Sequence, residues 1–209
     1  AVLTWWLWQD AHRLDPFEAL GPDPLDVQAI GLDWKWLFIY PEQGIATLDE
    51  LVVPVGRPVR VALTTDTVMQ SFRISALAGQ IYAMPGMRTE LDFAASHPGT
   101  TRGQNMQYNG RGFSWQDFTV RALPEAEWRD WLQGAPDLTL DRRSYAVLAH
   151  AATPAETRQR LGLSPDADVR FELARPDLFR AVMMRYRGGV PVDPENQPGS
   201  PAYAGGEDG

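Results

Sequence analysis

The side chains that most often carry chemistry are scarce in this chain. Its 209 residues include no cysteine, which removes thiol catalysis, disulfides, iron–sulfur clusters, thiolate zinc and every copper site that needs Cys. Three histidines remain, His12, His97 and His150. They fall in a linker, in a turn before Pro98-Gly99 and in a helix, and no two have metal-ligand spacing. A serine triad would need one of them beside a nucleophile, yet Ser71, Ser75, Ser96 and Ser114 sit in no nucleophile-elbow context. The loop acids Asp33, Glu42, Asp49 and Glu50 offer something to a cation or a protein partner, but exposed loop carboxylates are ordinarily just solvated. Catalysis by this chain alone is not expected.

The bulk composition narrows the partners. Hydrophobic residues make up 44% and charged residues 22%, which is the balance of a folded globular chain and not of a disordered or multi-span membrane protein. A net charge of −8 argues against nucleic acid, because neutralising phosphates takes clustered Lys and Arg. The absence of cysteine leaves the compartment open, and no secretory signal is visible at the start.

Residues 1–8 are apolar and hold Trp5, Trp6 and Trp8. Tryptophans at the polar end of an apolar segment suit a membrane interface, so residues 1–10 read as the end of a truncated transmembrane helix. A buried strand or a core-covering arm is the other reading. Residues 11–26, with Pro16, Pro22 and Pro24, read as a linker. From 27 to 123 the texture is that of a β protein. Candidate strands at 27–40, 50–53, 59–65, 71–77, 88–94 and 118–123, separated by Pro, Gly and Asn turns, predict an antiparallel sandwich or barrel. From 124 to 187 the pattern turns helical, with an amphipathic stretch carrying Trp128, Trp131 and Leu132 and further helices over 141–151, 154–161 and 176–186. Residues 188–209 are rich in Gly, Pro and acids without a base, and read as a disordered acidic tail.

The most unusual segment is Asp33-Trp-Lys-Trp-Leu-Phe-Ile-Tyr-Pro-Glu-Gln-Gly44. In a strand, Trp34, Trp36, Phe38 and Tyr40 project from one face. That face is either an aromatic-heavy sandwich core or a patch that docks a partner.

This segment, together with Val68–Phe72, Gln80–Met87 and Asn109–Ser114, resembles subunit II of the haem–copper ubiquinol oxidases of the cytochrome bo type. The four blocks match in order and spacing, and the later helices, with Arg175–Phe179, resemble the aromatic-rich C-terminal extension of the same subunit. The resemblance implies a mainly β fold: a cupredoxin-like, antiparallel or mixed Greek-key sandwich over 27–123, with a helical extension over 124–187. It also implies a position on the periplasmic face of the bacterial inner membrane, with membrane helices before the domain.

Related cytochrome c oxidase subunits hold a two-copper centre on one His and a Cys-x-Glu-x-Cys-x3-His-x2-Met loop. Laid onto this chain, those positions fall on Met69, Asn105, Gln107, Asn109, Phe113 and Gln116. No thiolate or imidazole remains, and amides are poor copper ligands. The resemblance therefore implies a degenerate copper site and no cofactor in this chain, with haem and copper in a large partner subunit. Electrons would come from membrane quinol and not from cytochrome c. The chain would be a non-catalytic, structural and assembly subunit of a proton-pumping quinol oxidase that reduces oxygen to water. Its expected partners are the haem-bearing large subunit and other oxidase subunits, contacted through Trp34, Trp36, Phe38 and Tyr40 and through Tyr82 and Met84 of the 80–87 loop. The alternative is a free-standing periplasmic binding module that recognises a glycan or peptide through a surface aromatic platform.

Overall fold

The computed structural model describes residues 23–75 and 77–188. The expectations for a membrane helix end over 1–10 and a disordered acidic tail over 188–209 lie outside them, but for Gly188, and so does the linker up to residue 22. Among the described residues no helix is long and apolar enough to cross a membrane.

Among the described residues, twelve strands form two sheets. The first runs in the order β11, β12, β3, β2, β1, β5, β8. Its members are β1 (Leu25–Leu32), β2 (Lys35–Tyr40), β3 (Ile45–Leu48), β5 (Pro58–Thr65), β8 (Thr89–Ala94), β11 (Leu138–Leu140) and β12 (Val169–Leu173). The second is β4 (Glu50–Pro54), β10 (Asp117–Leu123), β9 (Gly99–Gln104), β6 (Gln70–Ile74) and β7 (Ala78–Ala83), in that order. Pairing is mixed: β1 lies parallel to β5 and β4 parallel to β10, while β2, β3, β6, β7, β8 and β9 pair antiparallel with their neighbours. The fold is thus a mainly β sandwich, as the strand pattern predicts, with the mixed pairing that the resemblance implies for a cupredoxin-like domain.

The 27–40 stretch is not one strand. Asp33 and Trp34 make a turn between β1 and β2, and Trp34 takes a positive φ of 68°. Beyond the turn, strand alternation sends Trp36, Phe38 and Tyr40 into the space between the sheets, where all three are fully buried. Phe72 and Phe118 come down from the second sheet and stack at 4.9 Å, and Trp36 meets Phe72 edge-on at 5.1 Å. Burying an aromatic of this size contributes about 2–3 kcal/mol. The Tyr40 hydroxyl donates to the Val52 carbonyl at 2.9 Å and accepts from the Val52 N–H at 2.8 Å, so even its polar tip is used internally. These three aromatics are core, and the docking face expected of them does not exist in this fold.

The other face of the first sheet is apolar too. Ile30, Leu32, Leu37, Ile39 and Leu48 look away from the sandwich interior and would meet water if the chain stopped at residue 123. The extension covers them. It consists of α1 (Glu125–Leu132), β11, α2 (Arg142–Ala149), α3 (Pro154–Arg160), β12 and α4 (Leu178–Arg185). Its Leu140, Tyr145, Leu148, Phe171, Phe179 and Val182 close a second core over that face. The segment expected to be purely helical therefore also supplies two strands, and Val169–Glu172 pairs antiparallel with Ile45–Leu48.

Three polar ties fasten the extension. Lys35, fully buried, donates from Nζ to the carbonyls of Asp33, His150 and Ala152 at 2.9, 3.0 and 3.1 Å. Two of those carbonyls follow the last turn of α2, where helix C=O groups lack internal partners. Asp49, in the left-handed region at φ 56°, accepts from the Trp36 N–H at 2.8 Å and faces Arg158 of α3 at 3.5 Å. Asp66, also fully buried, accepts from the Tyr145 hydroxyl at 2.6 Å, from Arg185 at 2.7 Å and from the Tyr186 hydroxyl at 3.0 Å. The acids at 49 and 50, expected as solvated loop carboxylates, are paired instead, Glu50 with Arg121 at 2.7 Å.

Burial pushes the Asp49 carboxyl up to about 6 from its ordinary 3.8, despite Arg158 and Lys35 beside it. Burial likewise pulls Lys35 down to about 8. A raised carboxyl means the folded chain binds its proton more tightly than the unfolded chain, so the Asp49 contribution to stability grows as pH falls from 6 towards 3.8. A lowered lysine gives the opposite sign at the other end, with stability recovered as pH rises above 8. Stability in urea is expected to rise by about 1–3 kcal/mol between pH 7 and pH 4.5 on the Asp49 account. Asp49→Asn should flatten that rise, and an equal slope in the variant would remove Asp49 as its source.

Candidate functional site

The positions that would carry copper ligands lie at one end of the sandwich, on the β5–β6 turn and the long β9–β10 loop. Three of them are joined directly. Gln116, 2% exposed, accepts through Oε1 from Asn105 Nδ2 at 2.9 Å and from Asn109 Nδ2 at 2.6 Å. Its Nε2 donates to Gln70 Oε1 at 2.6 Å, and Gln70 donates in turn to the Leu32 carbonyl at 3.0 Å and to Thr67 Oγ1 at 3.1 Å. Asn105 Oδ1 accepts from the N–H groups of Ser71 and Gln107, each at 2.9 Å. The Met106 N–H donates to Ser71 Oγ at 2.7 Å.

The result is a chain of side-chain amides running from β1 through β6 to both ends of the β9–β10 loop. Each amide offers donors and acceptors at once, and neighbours can satisfy each other without any net charge. Such a network is strong when complete because its groups are shielded from water. Gln107 enters it through its backbone. Met69, 40% exposed, and Phe113, which meets the Tyr108 ring at 5.8 Å, have no side-chain bond in it. Gln70 and Ser71 are the members that residue-by-residue reading did not single out, since nothing local marks them: their partners lie 46 and 34 positions away.

Trp34 clamps the same loop from outside. Its indole N–H donates to the Asn109 carbonyl at 3.2 Å, and its ring lies over Gly110 and Gly112. A Cβ on Gly112 would overlap the indole outright, so the bare backbone there is what lets the ring approach.

These groups do not suit a two-copper centre. The Asn105 and Gln116 amides are engaged with their neighbours, Asn109 Oδ1 is buried without a partner but is a single weak donor atom, a phenyl ring offers no lone pair, and a lone thioether cannot hold an ion. No group of three or more His, Asp or Glu side chains gathers in a metal-binding arrangement among the described residues. His97 pairs with Ser96 Oγ at 3.0 Å on the surface, and burial lowers the pKa of His150, which sits just past α2; the two do not meet.

What this end does present is an apolar rim. Val68, Met69, Met106, Tyr108 and Trp115 are large side chains exposed by 40–70% on the two loops around the network. Tyr82 at the end of β7 and Met87 beyond it are 45% and 49% exposed and lie nearby, because Gln70 is in register with Ala83. Met84 and Trp34, also expected as contact residues, are half-buried here.

The sequence and fold match known proteins at this point. Residues 42–123 match the family model for the periplasmic domain of cytochrome c oxidase subunit II. The ubiquinol oxidase subunit 2 of Acetobacter aceti is 38% identical over 199 residues, covering 92% of this chain and 60% of that protein. The cytochrome bo(3) ubiquinol oxidase subunit 2 of Pseudomonas aeruginosa is 37% identical, covering 89% of this chain and 54% of its own length. The chain thus spans between half and two thirds of these curated relatives. Among solved structures, the periplasmic domain of subunit II of cytochrome oxidase from Bradyrhizobium japonicum superposes with a TM-score of 0.51 at 26% identity, covering 55% of this chain and 94% of that one. Four sequence blocks, a mixed β-sandwich and these relatives agree: over residues 42–123 the chain is similar to the periplasmic domain of cytochrome c oxidase subunit II, and over most of its length to subunit 2 of ubiquinol oxidases.

Proposed function

We propose that this chain is the periplasmic part of subunit II of a terminal quinol oxidase, a scaffold with no redox step of its own. The complex oxidises ubiquinol and reduces oxygen to water, with haem and copper on a large partner subunit and this domain on the outer face of the bacterial inner membrane. One observation carries the reading. Where a cytochrome c oxidase needs thiolates and imidazoles to receive electrons, this chain has a hydrogen-bonded network of uncharged amides. Electrons must then enter elsewhere, and quinol dissolved in the membrane is the donor that does not need this domain as a port.

The test is oxygen uptake by the complex that co-purifies with the tagged subunit. Fast uptake with ubiquinol and none with reduced cytochrome c is the expected result; uptake with cytochrome c would sink the reading.

The part of the apolar rim formed by Val68, Met69, Met106 and Tyr108, outside the Trp115 edge, is the surface this reading assigns to the membrane-embedded partner. A rim of Val, Met and Tyr around an uncharged network suits a partner surface that is itself apolar. Met106→Glu combined with Tyr108→Glu should leave the domain folded, because both side chains stand in water, and should reduce co-purifying haem at least about tenfold. Undiminished haem recovery would move the contact elsewhere.

A further inference from the structure

The sandwich and its extension do not close on each other everywhere. Between them lies an open cleft of about 700 Å³, a size suited to a small organic ligand. One wall comes from β9, β10 and the loop before β10, and presents Arg102, Trp115 and Asp117. The start of α3 and Asp166 form the other wall, with Asp49 and Arg158 at the back. The Trp115 indole is 51% exposed although it borders a concave surface. Arg102 pairs with Asp117. Arg158 faces Asp49 at 3.5 Å and donates through Nε to the Ala167 carbonyl at 2.8 Å.

The charges of the cleft nearly cancel: two guanidinium groups stand among three carboxylates. A phosphate or carboxylate ligand would meet the acids, and a cation would meet the arginines, so neither sign is selected. What remains is a set of fixed donors and acceptors side by side, next to one flat apolar plate. A sugar ring has the complementary parts. Its hydroxyls donate and accept at once, and its CH-rich face can lie against an indole. We propose that this cleft binds a neutral saccharide, with Trp115 stacking on one ring and the Arg102–Asp117 pair bonding its hydroxyls. The inference rests on the cleft alone and stands or falls separately from the oxidase reading.

The test uses the whole chain, labelled with nitrogen-15, titrated with cellobiose and with N,N′-diacetylchitobiose while the indole N–H signals of its 8 tryptophans are followed. The Trp115 signal is expected to shift and saturate in the millimolar range with at least one of the two sugars. Trp115→Ala should weaken binding at least roughly tenfold and Arg102→Ala several-fold. Tyr108→Ala, which removes a more exposed ring outside the cleft, should change nothing. Unmoved signals from the other tryptophans show that the variants are folded. The proposal is overturned if neither sugar gives a saturable shift, if binding survives Trp115→Ala, or if tetra-alanine saturates the cleft where both sugars fail.

Discussion

Lys35→Met is expected to cost the chain about 3–5 kcal/mol of folding stability, enough to threaten its folding outright. Methionine nearly keeps the volume, so the loss is electrostatic and not a cavity. The carbonyls of Asp33, His150 and Ala152 would lose their shared donor in a partly buried seam, and an unsatisfied buried acceptor costs about 1–3 kcal/mol. Asp49 would keep Arg158, its larger positive neighbour, and lose the weaker support of Lys35. The measurement is the urea midpoint, with limited proteolysis across 150–160 as the local readout. Cleavage there should appear before the sandwich melts. An unchanged midpoint would mean that water replaces the ammonium at no penalty and that the seam is wetter than it looks.

Asp66→Ala should be comparably damaging, by about 3–5 kcal/mol, and for the reverse reason. It removes the carboxylate that faces the Arg185 guanidinium, 20% exposed, and that accepts from two phenolic hydroxyls. Burial already raises the Asp66 carboxyl above the usual range, opposed by Arg185 and the two tyrosines, so its charge is held in place only by these partners. A non-additive result follows. Removing the cation as well, in Asp66→Ala with Arg185→Met, should restore part of the stability lost in Asp66→Ala alone, because the guanidinium that lost its carboxylate is then gone too. Denaturant titration of both variants checks this. A double variant weaker than the single one by the full Arg185→Met cost would show that the two act independently.

Much of this architecture was readable from residue order, and what was missed has physical reasons. Alternation in Trp36, Phe38 and Tyr40 correctly signals a strand with one heavy face, yet it cannot say whether that face is core or interface; only the arrival of Phe72 and Phe118 decides it. The turn at Asp33-Trp34 was hidden because tryptophan is not a residue that advertises positive φ. Lys35 between two tryptophans looks like the solvent side of a strand. Its neighbours on that side, Leu37 and Ile39, are the signal that both faces are covered. β12 reads Val-Arg-Phe-Glu-Leu, a clean alternation that a helical context obscured. β9, with Gly-Thr-Thr-Arg-Gly-Gln, carries too little apolar content to be seen at all; its Gly103 is needed for the Phe118 ring that lies against it. The expected copper-ligand positions were legible as positions from the family resemblance, but their hydrogen bonds to Gln70 and Ser71 exist only once the two sheets are brought together.

The strand that closes the sheet beside β3 comes from residues 169–173, and the carbonyl that completes the Lys35 site is 117 positions further along the chain than the lysine itself. For a polypeptide made or exported from its N-terminus, this has a consequence in time. Most of the sandwich is available early, but β3 keeps an unpaired edge, and the first sheet an uncovered apolar face, until residues 169–173 and the helices around them have emerged. Long-range pairing of this kind slows folding, and an open edge is a template for pairing with the wrong strand. The nascent domain must therefore be kept from its neighbours during that interval, and a ribosome stall or premature stop before residue 169 would release an aggregation-prone species instead of a smaller working domain.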